Sequence, residues 1–269
     1  MVVNEDIRAV KEFYDANSIQ EWKRFDRHPY EFELTKRMLD RYIKPGDSVL
    51  DIGGGPGRYS IYYTQRGCEV TLLDLSEGNA AFARNKAKEL GLSFEIVVGN
   101  ALEADKLISR TYDHVLVMGP MYHLLEKEDR TAAIKSALKL LKPGGTLSAS
   151  FITLFAGIIF YMRWIPCDIS NPDEKEYQDK VLLNEDYSGG GFTRVHLAAQ
   201  NSILPFFEQF PLEKLRFFGQ EGILAPCKNT FMEQPSEVQT AWVDFAEKLC
   251  EREELLAYSE HLMYIGRKL

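Results

Sequence analysis

Apolar and polar positions alternate in blocks through the middle of the chain. VLDI (49–52), EVTLLDL (69–75), FEIVVG (94–99), HVLVMG (114–119) and TLSASFI (146–152) are short, nearly continuous apolar runs. Between them lie stretches of helical character. One ends at Gly67, AAFARNKAKEL stops at Gly91, and DRTAAIKSALKLLK stops at Pro143-Gly144-Gly145. Short strands separated by helical patterns of about 10–15 residues predict βαβ units and a parallel sheet. Because the runs are apolar throughout rather than alternating, helices are expected on both faces of that sheet.

The flanks extend this pattern. IRAVKEFY places Ile7, Val10 and Tyr14 at helical spacing, and YEFELTKRMLDRYI places Phe32, Leu39, Tyr42 and Ile43 on one face before Pro45-Gly46. SASFITLFAGIIFYMRWIP is apolar but carries Arg163 and follows a Pro-Gly-Gly turn. It predicts a buried strand passing into an amphipathic segment, not a membrane span. Residues 166–191 are polar and include Ser188-Gly189-Gly190-Gly191, so 154–195 is expected as an insertion that covers a substrate. A helix at about 196–208, a strand at 214–219, a helix at about 236–255 and a last strand at 261–268 complete the reading. The expectation is one domain, 1–269, made of a helical cap (1–45), a ligand-binding core (46–153), the lid (154–195) and a closing part of the sheet (196–269).

Composition narrows the classes. With 269 residues, 45% of them apolar, the chain can bury a substantial core, and a formal charge of -8 weighs against a general polyanion binder. No nucleic acid partner is therefore expected. Cys68, Cys167, Cys227 and Cys250 lie far apart, with no CxxC pair and no zinc-ligand spacing. They read as reduced, mostly buried thiols, and no metal site is expected. MVVNEDIRAVKEF has no signal-peptide core, which makes the cytoplasm the expected compartment and leaves no membrane partner. Oligomeric state is not legible.

The densest feature is VLDIGGGPGRYS, residues 49–60, in which four glycines follow an apolar run and an aspartate. A dinucleotide loop reads GxGxxG, but position 58 is Arg. A phosphate loop needs GxxxxGK[ST], which is absent. With LLDLS, GNA (99–101), DHVLVMGPMYHL and LLKPGGTL in the same order, the stretch over residues 45–152 resembles the class I S-adenosylmethionine-dependent methyltransferases. The resemblance implies a Rossmann-like, seven-stranded, mostly parallel α/β sheet with helices on both faces and an antiparallel last strand. It also implies S-adenosyl-L-methionine as cofactor.

Carried over position by position, the resemblance puts Gly53, Gly54, Gly55 and Gly57 against the cofactor, where missing side chains let a ligand lie on backbone. Asp51 supports the loop and the cofactor's amino group. Asp74, with Leu75, takes the ribose hydroxyls, although an N-cap role is the bland alternative and Ser76 already suits it. Asn100 stands where an Asp is commoner and, with Ala101, meets the adenine. Met118 and Gly119 border the methionine part. Arg58 holds the cofactor's carboxylate or a surface acid, and Tyr14 closes over the site from the cap. His123, and after it Tyr122, are the candidate catalytic groups. Trp22, Arg24, His28, His114, His196 and His261 read as structural.

The function this implies is methyl transfer to a small-molecule acceptor by in-line displacement. Two alternatives stay open: an RNA or protein methyltransferase, and a cofactor-binding regulatory protein without catalysis. A nicotinamide dehydrogenase is opposed by Arg58, where its loop wants glycine.

Overall fold

The computed structural model describes residues 5–269, so the first four positions of the expected cap lie outside the described residues. The cap contains α1 (Glu5–Trp22), α2 (Arg24–Arg27) and α3 (Pro29–Leu39). The alternating region follows as β1 (Ser48–Ile52), α4 (Arg58–Gln65), β2 (Glu69–Asp74), α5 (Glu77–Glu89), β3 (Glu95–Val98), α6 (Ala104–Leu107), β4 (Tyr112–Val117), α7 (Lys127–Leu140) and β5 (Leu141–Thr153). Next come α8 (Leu154–Trp164), α9 (Lys175–Leu183), β6 (Tyr187–Gly190) and β7 (Arg194–Ala198). The chain closes with α10 (Gln200–Phe207), β8 (Leu212–Gly219), α11 (Lys228–Met232), α12 (Ser236–Leu249) and β9 (His261–Lys268).

Five parallel strands run in the order β3-β2-β1-β4-β5. Strand β9 pairs antiparallel with β5, and β8 pairs antiparallel with β9. These are the seven strands the sequence implied, antiparallel last strand included. Among the described residues the sheet nevertheless has nine. The extra pair is the β6–β7 hairpin, hung on the end of β5 through Ile152–Leu197 and Thr153–Ala198. Residues 196–198, expected to open a helix, are therefore strand, and the lid boundary drawn at 195 falls inside β7. Asp186 fixes this turn: one of its oxygens accepts from the Ala199 amide and the Ser202 hydroxyl, so the helix starts only at Gln200. The helix expected to reach 255 stops at Leu249, and the Cys250 carbonyl beyond it accepts the Gly219 amide instead.

Successive strand residues face opposite sides of the sheet. Leu50 and Ile52 of β1 join Ala133, Ile134 and Ala137 of α7 and Phe206 and Phe207 of α10. Val49 joins Leu34 and Met38 of α3, Tyr63 of α4 and Phe218 of β8. Full burial of each of the Leu, Ile, Val, Met and Phe side chains among these stabilises by about 1.5–3 kcal/mol, and the two layers hold the strand ends in fixed relation. Cys68 and Cys250 are buried, but Cys167 and Cys227 are exposed, and all four are unpaired. Among the described residues no helix is long and apolar enough to cross a membrane; the apolar run after β5 becomes α8.

Candidate active site

At the end of β1 the chain bends through Gly53, Gly55 and Gly57, with φ of 69°, 58° and 87°. Left-handed backbone of this kind is open to glycine at little cost. The glycines serve different neighbours. A Cβ on Gly53 would lie 2.4 Å from Pro120 Cδ, and one on Gly119 would lie 2.8 Å from the Gly53 carbonyl oxygen. The β1 and β4 loops thus lie directly against each other, and part of the glycine content serves that contact. Gly55 is different: its Cβ position has no atom closer than 3.8 Å. Only handedness demands glycine there, and the space above it belongs to a cleft.

The cleft encloses about 130 Å³ and is lined by every sequence-predicted site residue except Gly57. Asp51, Gly53, Gly54 and Gly55 come from the first loop, Asp74 and Leu75 from the end of β2, and Asn100 and Ala101 from beyond β3. Met118, Gly119, Tyr122 and His123 come from the turn after β4, which ends at Val117, one residue before Met118. Gly57 instead caps α4 and packs against Ala83, 3.3 Å from its Cβ position. The roof is α1, whose Ile7, Val10 and Tyr14 face inward at the spacing seen in the sequence. It seats on α5: Asp15 accepts from the Ser76 hydroxyl (2.6 Å) and the Gly78 amide (3.0 Å). Any side chain on Gly78 would meet Asp15 backbone at 2.7 Å.

Asp74 sits between the loop and the α5 start. Its Oδ2 accepts the Gly55 amide at 2.8 Å, and its Oδ1 accepts the Ser76 amide at 2.9 Å and the Asn79 side-chain amide at 3.3 Å. Burial raises its pKa despite these donors. Ser76 makes the N-cap itself, through the Asn79 amide. Asn79 also lines the cleft, and its Oδ1 is buried without a partner. An orphaned buried acceptor costs stability unless a ligand satisfies it. Asp51 is fully buried and is pushed up to about 6, by burial above all and against the Ser60 hydroxyl that donates to it at 2.7 Å.

His123 is brought to the cleft with both ring nitrogens engaged. Nδ1 lies 3.0 Å from the Arg194 carbonyl, which only accepts, so Nδ1 carries the proton. Nε2 therefore accepts from the Tyr14 hydroxyl at 2.7 Å. Burial drives His123 down to about 4, so the ring is neutral near pH 7. Tyr14 and Tyr122 are shifted upward by burial and keep their protons. Arg58 also lines the cleft, where it reaches Asp26 at 3.2 Å and stacks over Trp22 at 4.5 Å.

Arg24 and Glu21 also line the cleft, and neither was singled out as a site residue. The Arg24 guanidinium holds both oxygens of buried Glu31, at 2.7 and 2.9 Å, and Glu21 at 3.1 Å. Behind Tyr122, Glu221 accepts from both the backbone and the ring of His261, at 2.9 and 2.6 Å. Burial works against a charge on His261, but the Glu221 and Glu31 carboxylates raise it to about 9. Donor atoms of Glu31, Glu221 and His261 lie within 4.8 Å of one another. Residues so far apart in sequence give no motif. Arg24 and His261 already occupy the carboxylates, so the cluster is a compensated charge network.

Residues 49–145 match the family model of the methyltransferase domain. A demethylmenaquinone methyltransferase of Bacillus cytotoxicus is 28% identical over 69% of this chain and 79% of its own length. A malonyl-[acyl-carrier protein] O-methyltransferase of Enterobacter lignolyticus is 32% identical over 59% of this chain and 58% of its own. The chain spans about half to four fifths of the curated relatives it matches. In fold, a magnesium protoporphyrin IX methyltransferase from Synechocystis PCC 6803, solved with bound S-adenosylmethionine, superposes with a TM-score of 0.58 over 100% of both chains at 13% identity. The glycine bend, the acid at the end of β2 and the sheet order define a Rossmann-like methyltransferase. Residues 49–145 carry a methyltransferase domain, and the chain has the fold of the class I S-adenosylmethionine-dependent methyltransferases.

Proposed function

We propose that the protein binds S-adenosyl-L-methionine in this cleft and directs its methyl group to a small-molecule acceptor. The observation that carries the reading is the Asp74–Gly55 hydrogen bond, which sets a buried carboxylate beside open space above a left-handed glycine. Two carboxylate oxygens offer about four acceptor sites, and three donors of the protein use part of them. Ribose hydroxyls take the remainder together with Asn79 Oδ1. Asn100 and Ala101 meet the adenine edge, and Asp51 supports the amino-acid end.

When bound, the cofactor supplies a methyl group already activated on a sulfonium. The residues of this chain then align the acceptor and exclude water, effects worth up to about 7–11 kcal/mol in favourable cases. Tyr14 presents its hydroxyl to the cleft with neutral His123 behind it. An acceptor that must lose a proton hands it toward Tyr14 Oη as the Tyr14 proton moves to His123 Nε2. The roof helix α1 and the β6–β7 hairpin meet over this pair: Arg194 pairs with Asp6 at 2.6 Å, and Phe192 packs near Phe13 and His123. This arrangement suits a cover that closes on the loaded site.

The relatives named for demethylmenaquinone and magnesium protoporphyrin IX support a small acceptor, as does the net charge of -8, which disfavours RNA. The test is calorimetry with S-adenosylmethionine and S-adenosylhomocysteine, followed by an acceptor screen that reads S-adenosylhomocysteine release. Absence of affinity for both compounds removes the reading. Binding without transfer to any acceptor favours the non-catalytic alternative.

A further inference from the structure

A second cleft, of about 520 Å³, lies across α2 from the first. The short segment 24–28 is the wall between them: Arg24 and Phe25 face the cofactor cleft, and Asp26, Arg27 and His28 face the second. Its other walls are Phe160, Arg163 and Trp164 of α8, Lys228 and Met232 of α11, and Glu260 just before β9. Helix α8 leaves the end of β5 and β9 pairs with that strand end, so the second cleft stands over the same edge of the sheet as the first.

The charges in this cleft do not cancel. Asp26 is paired with Arg58, and Glu260 with Arg163 at 3.1 Å. Among the described residues, Arg27 and Lys228 have no carboxylate partner. Arg27 reaches only the Gln20 carbonyl, at 3.5 Å. Lys228 is half-buried, and its Nζ donates to His28 Nε2 at 2.9 Å. Burial drives His28 down to about 3, so it accepts that bond as a neutral ring and offsets no charge. With Asp26 and Glu260 already paired, Arg27, Arg163 and Lys228 leave the lining with more positive than negative side chains, a local positive field in a chain of net charge -8. Beside them the lining is apolar: Phe160, Trp164 and Met232 are 49%, 53% and 37% exposed. Of all α8, only Leu154 is buried. An apolar wall with a few convergent charged groups is the general form of a small-molecule site.

We propose that this cleft holds the non-reacting part of the methyl acceptor, and that this part is an organic anion, a carboxylate or phosphate borne on an apolar chain or ring. The proposal rests on the methyltransferase reading for the acceptor role, but the anion site stands on its own contacts. Arg27 and Lys228 take the anion, and Phe160, Trp164 and Met232 cover the apolar body. In this proposal the acceptor passes around segment 24–28, which separates the two clefts, to bring its reacting end toward Tyr122.

Calorimetry on the full chain tests the site with octyl phosphate and octanoate, both below their micellar range, and with 1-octanol as the neutral counterpart. Both anions are expected to bind at least tenfold more tightly than 1-octanol. Arg27→Ala combined with Lys228→Ala should weaken them at least tenfold, while S-adenosylhomocysteine affinity stays within about twofold. Equal affinity for 1-octanol, or octyl phosphate binding that survives the double substitution, overturns the anion site. The acceptor role has its own readout. In the screen, turnover should be confined to carboxylates and phosphates, with acceptor KM raised at least tenfold in the double variant and cofactor KM unmoved. A preferred acceptor that is neutral, or whose KM does not move, overturns that role. Loss of cofactor affinity in the wild type would instead count against the methyltransferase reading and leave the anion measurement standing.

Discussion

Asp74 Oδ2 and the Gly55 amide are joined at 2.8 Å, so the acid that ends β2 and the bend that follows β1 form one unit. The carboxylate therefore shapes the loop and lines the cleft at once. Asp74→Ala should weaken S-adenosylhomocysteine at least tenfold by calorimetry, a loss of about 1.4 kcal/mol or more. Asp74→Asn keeps one acceptor oxygen and should fall between the two. Unchanged affinity in Asp74→Ala, with the melting transition intact, would remove Asp74 from the site.

The glycines divide by what opposes a side chain. Gly119→Ala forces a Cβ to 2.8 Å from the Gly53 carbonyl, backbone against backbone. Overpacking of this kind costs roughly 1–3 kcal/mol, and a urea titration should show it without any ligand present. At Gly55 the added methyl has room, and only the φ of 58° resists it. Gly55→Ala is expected to lose cofactor affinity by a larger factor than Gly119→Ala. The reverse order would mean that the space above Gly55 is not where the ligand lies.

This division was out of reach from the sequence. VLDIGGGPGRYS announces a bend that tolerates no side chains, but a one-dimensional string cannot say whether the obstacle is ligand or protein. Gly53 and Gly119 answer to the contact between two loops, Gly57 to a helix cap, and Gly55 to open space. The parallel core was legible because β1, β2 and β4 are buried on both faces and read as unbroken apolar runs. The β6–β7 hairpin was not, since Tyr187–Gly190 is mostly glycine and serine and its pairing partner lies in β7. Arg24 was passed over because its purpose depends on Glu31 and on distant Glu221 and His261, which only the closing strands bring near. The roof helix was partly legible: Ile7, Val10 and Tyr14 share a helical face, and that face looks into the cleft.

The Tyr14–His123 pair makes a kinetic prediction. His123→Ala removes the acceptor of the Tyr14 proton, and Tyr14→Phe removes the donor while leaving the ring. For an acceptor that must be deprotonated, both should lower kcat at least tenfold, with cofactor affinity in His123→Ala within about threefold. Equal turnover in His123→Ala retires the relay. A pH signature accompanies it. The folded-state value near 4 lies below the ordinary 6.5. Between those values the unfolded chain binds more protons, so this residue's contribution makes stability fall as pH drops through the window.

His261 predicts the opposite window. Its folded-state value near 9 lies above the ordinary 6.5. Across that interval the folded state holds the extra proton, so its stabilisation is fully present below about pH 6.5 and is lost as pH rises through about 9. Glu221 is the partner to remove, because it accepts from both the ring and the backbone of His261. Glu221→Gln leaves a buried imidazolium facing an amide, and breaking a buried pair this way costs about 3–5 kcal/mol. Urea midpoints at about pH 7 and pH 9.5 should fall steeply between the two in the wild type. They should fall much less in Glu221→Gln, which starts lower. The loss should be smaller for His261→Gln combined with Glu221→Gln than for Glu221→Gln alone, because no buried charge is then stranded. Parallel pH slopes in wild type and Glu221→Gln would mean that His261 carries no proton in the fold and that the network behind Tyr122 is held by neutral hydrogen bonds alone.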